Sequence, residues 1–160
     1  MQIRVSPAGF SDWPQLVGLI RDSFAYMDSR IDPPSSLKRM GIEEFMSKAV
    51  EETLIVAEDH KTIIGCAFAA LRDDCVYVGK VAVAPSARGK GVARAMFAAA
   101  EGLAQTHGRK FLELQTRIEL VENHATFAAL GFKKVDESAH PGYSRPTSIT
   151  MRKRVAEGAV

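Results

Sequence analysis

The sequence predicts one α/β domain, a mixed and mostly antiparallel sheet of about seven strands flanked by helices. Three observations carry this prediction. Short β-type segments recur along the chain between polar turns. Four stretches place apolar residues at helical spacing. Hydrophobic residues make up 46% of 160, enough for one core. A chain of 17.4 kDa buries about 69% of the surface it exposes when unfolded, so it needs neither metal nor disulfide to fold. With no internal repeat and no linker, residues 1–160 read as a single domain.

Gln2 to Val5 reads as a short strand. Ser11-Asp12 before Trp13-Pro14 is a helix start, a capping side chain followed by proline in the first turn. Trp13, Leu16, Val17, Ile20 and Phe24 then recur at helical spacing. Ala25 to Ser36 is a loop holding two prolines, and a second helical stretch runs from about Leu37 to Glu52 with an interruption expected at Gly41. Thr53–Ala57, Thr62–Leu71 and Cys75–Val83 are strands joined by the turns Glu58–Lys61 and Arg72–Asp74, hence an antiparallel meander. Pro85 ends it. From Gly89 the period changes: Val92, Met96, Ala100, Leu103 and Ala104 mark a helix that stops near His107-Gly108. Phe111–Arg117 is a strand, Glu122–Leu130 a short helix closed by Gly131, and Phe132–Asp136 and Thr147–Val155 two further strands around the loop Ser138–Pro146.

Composition excludes several classes. Charged residues are 25% of the chain, against disorder. The longest uncharged apolar run, Thr62 to Leu71, is about half the ~18 residues of a membrane span. The opening Met1–Pro7 lacks the apolar core of a secretory leader. Cys66 and Cys75 are too few for a disulfide framework or a metal site. Cytoplasm is the default. A net charge of +2 argues against a nucleic-acid partner, whose footprint is a strongly basic face. Within that balance, Arg88, Lys90 and Arg94 form a compact basic cluster with glycines inside it.

The chemistry concentrates at Val81-Ala82-Val83-Ala84-Pro85-Ser86-Ala87-Arg88-Gly89-Lys90-Gly91-Val92-Ala93-Arg94. A strand ends, a loop turns, and a helix begins. The first helical turn has free N–H groups, the helix dipole adds partial positive charge, and glycines let a phosphate reach the backbone. The segment therefore suits a pyrophosphate. It lacks the Gly-x-x-x-x-Gly-Lys-[Ser/Thr] spacing of a nucleotide-triphosphate loop, and the Gly-x-Gly-x-x-Gly of a dinucleotide fold.

Arg88-x-x-Gly91-x-Ala93, after a Val-Ala-Val-x-Pro strand end, resembles the acyl-CoA signature of the GNAT N-acetyltransferase superfamily, [Gln/Arg]-x-x-Gly-x-[Gly/Ala]. The order of elements agrees over nearly the whole chain, including a short helix that ends in Leu130-Gly131-Phe132. The resemblance implies the acyl-CoA N-acyltransferase fold, with acetyl-CoA as co-substrate. It implies that Val81, Ala82 and Val83 pair with the pantetheine arm and that the pyrophosphate lies on the amides of Arg88, Gly89, Lys90, Gly91, Val92, Ala93 and Arg94. The strand carrying Gln115 would splay from Val81–Val83 and leave a gap for the thioester. An N–H near Val83 would meet the developing oxyanion.

Two positions depart from the family pattern. Phe127 stands where many members carry the tyrosine that protonates the leaving thiolate, and Leu120 where an asparagine begins the same helix. Phe127 is then expected to pack against pantetheine, and Asn123 to cap the helix or contact the cofactor. For the base, Glu113, Gln115 and Arg117 share one strand face that is either solvated or catalytic. Glu119 and Glu122 suit a helix N-terminus. His124 is a surface histidine or a proton carrier, and Tyr77 a packing residue or a base. The acceptor pocket, in the family's manner, would draw on Tyr26, Met27, Asp28, Arg30, Asp32 and the loop His140–Arg145. There Tyr143 could replace the missing hydroxyl acid, and Arg30 and Arg145 would suit a carboxylate-bearing amine. The function implied is acetyl transfer to the primary amine of a small molecule. Transfer to a protein or peptide, or a non-catalytic acyl-CoA-binding regulatory domain, are the alternatives. No metal, nucleic acid or membrane is expected, and relatives often form homodimers.

Overall fold

Residues 1–157 are described in a computed structural model. The domain expected over 1–160 thus has its last three positions outside the described residues. Seven strands form one sheet: β1 (Gln2–Val5), β2 (Thr53–Asp59), β3 (Thr62–Leu71), β4 (Cys75–Val83), β5 (Phe111–Arg117), β6 (Lys133–Ser138) and β7 (Ser148–Arg154), in the spatial order β1-β2-β3-β4-β5-β7-β6. Every neighbouring pair is antiparallel except β4 with β5. The short turns after β2 and β3 enforce the meander. The parallel step needs a crossover, and α3 (Val92–Thr106) supplies it.

The helices cover both faces. On one, Met96, Phe97 and Ala100 of α3 pack over Ile55, Ala67, Val76, Leu112 and Met151. On the other, Leu16 and Ile20 of α1 (Trp13–Phe24) and Phe45 of α2 (Ile42–Glu51) pack over Leu54, Val56, Cys66 and Phe68. The predicted second helix divides, as its glycine suggested. A 3₁₀ turn at Ser36–Arg39 precedes α2, and Gly41 between them is extended, its N–H donated to the Glu44 carboxylate at 2.8 Å. Asp12 does precede α1, but its carboxylate accepts from Gln15 Nε2 at 2.8 Å and caps no backbone N–H. α4 (Val121–Ala129) starts one residue earlier than its pattern indicated. Phe132 is buried just ahead of β6.

Gly65 on β3 sets how closely α3 approaches the sheet. A Cβ there would lie 2.7 Å from Val92 Cγ1 and 3.2 Å from Met96 Sδ. Gly65→Ala is expected to cost about 1–3 kcal/mol of stability, read as a lower urea midpoint at unchanged slope. It also pushes away the first residue of α3, which matters for the site below.

Candidate active site

Because β4 and β5 are parallel, their C-terminal ends lie at one edge of the sheet, where open α/β sheets present ligand crevices. Only Cys75, Val76 and Tyr77 of β4 pair with β5, opposite Phe111, Leu112 and Glu113. Beyond Tyr77 the two strands have no partner in each other and part. A bulge contributes to the divergence: Lys80 and Val81 together oppose Ala67, with Lys80 at φ +51°. A bulge bends its strand and increases the local twist. The result is a wedge between Val78–Val83 and Leu114–Arg117.

The mouth of the wedge meets the start of α3. Pro85–Ala87 makes one 3₁₀ turn, then Gly89 (φ +76°) and Gly91 (φ +82°) take left-handed conformations. No atom lies within 4 Å of where either Cβ would stand. The N–H groups of Gly89, Lys90, Gly91, Val92, Ala93 and Arg94 find no acceptor among the described residues, whereas that of Arg88 donates to Pro85 O at 3.4 Å. The first internal bond of the helix is Ala95 N–H to Gly91 O. Lys90 and Arg94 are exposed and form no ion pair among the described residues. Six unpaired amides, a helix dipole and two free cations make an anion cradle.

Side chains from elsewhere line the wedge. The buried hydroxyl of Ser23, one residue before the end of α1, accepts from Val83 N–H at 3.4 Å and donates to Val83 O at 3.3 Å. Arg88 turns away from the cradle: Nη2 donates to Ser23 O at 3.4 Å, and the guanidinium stands 5.9 Å from the Tyr26 ring centre. The Tyr26 hydroxyl reaches Asn123 of α4, accepting from Nδ2 at 3.2 Å. Tyr26 thereby spans the mouth from the β4 side to α4. Asn123 therefore holds Tyr26 and does not cap its helix; the cap position is Leu120. One helical turn on, Phe127 packs edge-on against Phe97 and Phe132.

The other named residues divide clearly. Leu112 and Leu114 face α3, so Glu113, Gln115 and Arg117 face the α1–α2 side. Both Glu113 oxygens are engaged, by Arg152 Nε at 2.8 Å and Arg72 Nη1 at 3.2 Å. That carboxylate braces the sheet and has no free oxygen to serve as a base. Tyr77 is half-buried under the Arg72 guanidinium, 4.0 Å from its ring centre, and burial pushes its phenol up. Nε2 of His124 lies 2.9 Å from Arg117 O. A carbonyl only accepts, so that nitrogen carries the proton and the ring anchors the end of β5. Tyr143 donates to Asp32 Oδ1 at 2.5 Å, and this bond holds its phenol above the ordinary value. Arg145 pairs with the other oxygen of Asp32 at 3.3 Å, and Arg30 forms a bidentate pair with Glu122. The two arginines that suited a carboxylate are thus already occupied. The buried Cys66 thiol is pushed up to about 12 by desolvation, so it is no nucleophile. On the same side, an open groove of about 990 Å³ runs over Glu113, Gln115, Thr150 and Arg152. Among the described residues no cluster of three metal-ligating side chains occurs, and no helix is long and apolar enough to cross a membrane.

A family model described as the acetyltransferase (GNAT) family matches residues 13–132, from the start of α1 through Phe132. The chain belongs to the GNAT acetyltransferase family. No curated protein matches the sequence, but solved structures do at low identity. This acetyltransferase domain aligns with the PaiA N-acetyltransferase of Thermoplasma acidophilum in complex with coenzyme A at TM-score 0.78 and 16% identity, covering 96% of this chain and 99% of that one. It aligns with the ribosomal-protein-S18-alanine N-acetyltransferase of Escherichia coli at 0.69 and 16%, covering 99% and 97%. An aminoglycoside 6'-N-acetyltransferase complexed with coenzyme A gives 0.74 and 15%, covering both chains fully at 100%. These likenesses establish the acyl-CoA N-acyltransferase fold expected from the sequence. The family's co-substrate is acetyl-CoA. The amide cradle is legible in the sequence pattern. Ser23 and the Lys80 bulge are not, since neither carries a local signature.

Proposed function

We propose that the protein transfers the acetyl group of acetyl-CoA to the primary amine of a small molecule. The observation that carries this reading is the meeting, at one sheet edge, of the β4–β5 wedge and the six free amides of the α3 start. An extended thioester arm suits the first and a pyrophosphate the second. In this reading the amides of Gly89 to Arg94 hold the phosphates, with Lys90 and Arg94 adding charge. Val81, Ala82 and Val83 offer backbone groups to the pantetheine, and Phe127 backs it from α4.

The chain's own groups then have simple tasks. The Val83 N–H donates to the thioester carbonyl oxygen as it gains charge, giving up a 3.4 Å bond to Ser23 that is near the limit of useful length. The amine attacks, the C–S bond breaks, and a nearby hydroxyl returns a proton to the thiolate. Tyr26 at the wedge mouth is that hydroxyl. Tyr143 is not, because its proton is committed to Asp32.

The same neighbours include one enzyme acting on an aminoglycoside and one acting on an alanine of a ribosomal protein, so the acceptor must be argued from this chain. Residues 25–36 are latched over the α4 side by Arg30–Glu122, by Asp32 N–H to Glu119 Oε2 at 3.0 Å, and by Asp32 with Tyr143 and Arg145. A peptide would need this segment open; a metabolite needs it closed. Thiol release measured with a panel of amines and one peptide tests the choice. Turnover of the peptide alone would reverse it, and acetyl-CoA binding with silence across the panel would favour a regulatory binding domain.

A further inference from the structure

Among the described residues only two buried side-chain polar atoms lack a hydrogen-bond partner, Arg117 Nη1 and Glu119 Oε1. One is a guanidinium donor and the other a carboxylate acceptor. They stand two residues apart where β5 runs out toward α4, and they form no salt bridge with each other. A buried unpaired polar atom is costly, and a site built for a ligand is one reason a protein keeps it. The remaining atoms of both groups are fixed. Arg117 Nη2 donates to Pro34 O at 3.2 Å, and Glu119 Oε2 accepts from Asp32 N–H.

A second cation reaches the same segment, for Arg117 bonds Pro34 and Lys80 bonds Ser36 two residues on. Lys80, on the β4 bulge, donates to Ser36 Oγ at 3.0 Å and has no acidic partner among the described residues. Burial pushes the Lys80 ammonium down, and Lys48 and Arg117 push it further the same way. Lys48 is already paired with Glu52 at 2.7 Å. Arg117 is likewise lowered by burial, against the pull of Glu119, Tyr143 and Asp32. Lys80 and Arg117 are thus half-buried cations, the second lowering the first, with Glu52 pulling on Lys80 and Glu119 on Arg117 but no salt bridge to either among the described residues, and such a pair is stabilised when an anion arrives. Glu119 supplies the complementary negative charge beside them.

We propose that the acceptor is a free α-amino acid, its carboxylate held between Arg117 and Lys80 and its amine by Glu119. This rests on the transferase reading above. Glu119 takes one proton from the ammonium and frees the lone pair. The nitrogen forms its bond to the thioester carbon as the C–S bond breaks. The nitrogen's second proton leaves with the product's formation, and the thiolate is protonated to the thiol. The net products are an N-acetyl amino acid, free coenzyme A and one proton.

The experiment compares thiol release from acetyl-CoA with the common L-amino acids, their carboxamides and spermidine, with acetyl-CoA affinity measured separately by calorimetry. At least one free amino acid should exceed its own amide by tenfold or more in kcat/KM, and spermidine should be inert. Arg117→Met should lower kcat/KM for that acid at least 30-fold, mainly through KM, and collapse its advantage over the amide, with the acetyl-CoA affinity unchanged. Lys80→Met is the second variant, should the first loosen the Pro34 contact. Glu119→Gln should lower kcat at least tenfold for that acid and leave the acetyl-CoA affinity unchanged. Amides or spermidine used as well as acids, no acid used at all, or an acid-to-amide ratio untouched by both cation variants would overturn the assignment. A wild-type protein that does not bind acetyl-CoA would instead remove the transferase reading, and this one with it.

Discussion

Gly91→Glu is expected to weaken acetyl-CoA binding at least 100-fold while the protein still folds. Gly91 sits at φ +82° immediately before α3. A residue with a Cβ is disfavoured there by about 1–2 kcal/mol, so part of the effect is a displaced first turn. The larger part is charge. A carboxylate at this position faces the free amides of Val92, Ala93 and Arg94, satisfies them internally, and repels a pyrophosphate. A 100-fold loss is about 2.7 kcal/mol, within reach of the two effects combined. Gly91→Ala separates them, since it keeps the strain and lacks the charge; it should lose tenfold or less. Calorimetry with acetyl-CoA reads both. Equal binding by Gly91→Glu and wild type would show that the phosphates do not lie on the α3 start.

Tyr26→Phe should lower kcat by about 10- to 100-fold, less than general acid catalysis can supply at best because a thiolate is a tolerable leaving group, with acetyl-CoA affinity nearly unchanged. The guanidiniums of Arg30 and Arg88 each stand 5.9 Å from its ring centre, and its hydroxyl is held by Asn123. It is therefore fixed at the mouth of the wedge without a carboxylate competing for its proton. Phe127→Tyr restores the family's usual residue one helical turn from Asn123. In the wild-type background it should barely raise turnover, because the proton is already supplied; in Tyr26→Phe it should recover part of the loss. If Tyr143→Phe produced the kcat loss and Tyr26→Phe did not, the acid would be Tyr143 and the latch to Asp32 would have to open during turnover.

The parts of the fold legible in the sequence are those set by local chemistry. Period-2 runs with polar turns specify the β2–β3–β4 meander, and Arg88-x-x-Gly91-x-Ala93 marks the cradle because glycine is needed wherever the backbone turns left-handed. What was not legible depends on long-range side-chain contacts. Ser23 meets Val83 sixty residues away, and Tyr26 meets Asn123 ninety-seven away; neither residue belongs to a pattern. The Lys80 bulge is a mismatch between two strands, invisible in either alone. Asn123, expected to cap its helix or contact the cofactor, lies inside α4 and bonds Tyr26 instead, a partner that no local pattern reveals. Arg30 and Arg145 were offered to a substrate carboxylate because composition cannot tell a free arginine from one already paired with Glu122 or Asp32. Pairing removes them and leaves Arg117 and Lys80.

The most direct test is a crystal structure of the acetyl-CoA complex. The pyrophosphate should lie within hydrogen-bond distance of the Gly89 to Arg94 amides, and the thioester in the wedge between Val83 and Gln115 with its carbonyl oxygen toward the Val83 N–H. Coenzyme density on any other surface, with the β4–β5 wedge empty, would contradict this placement.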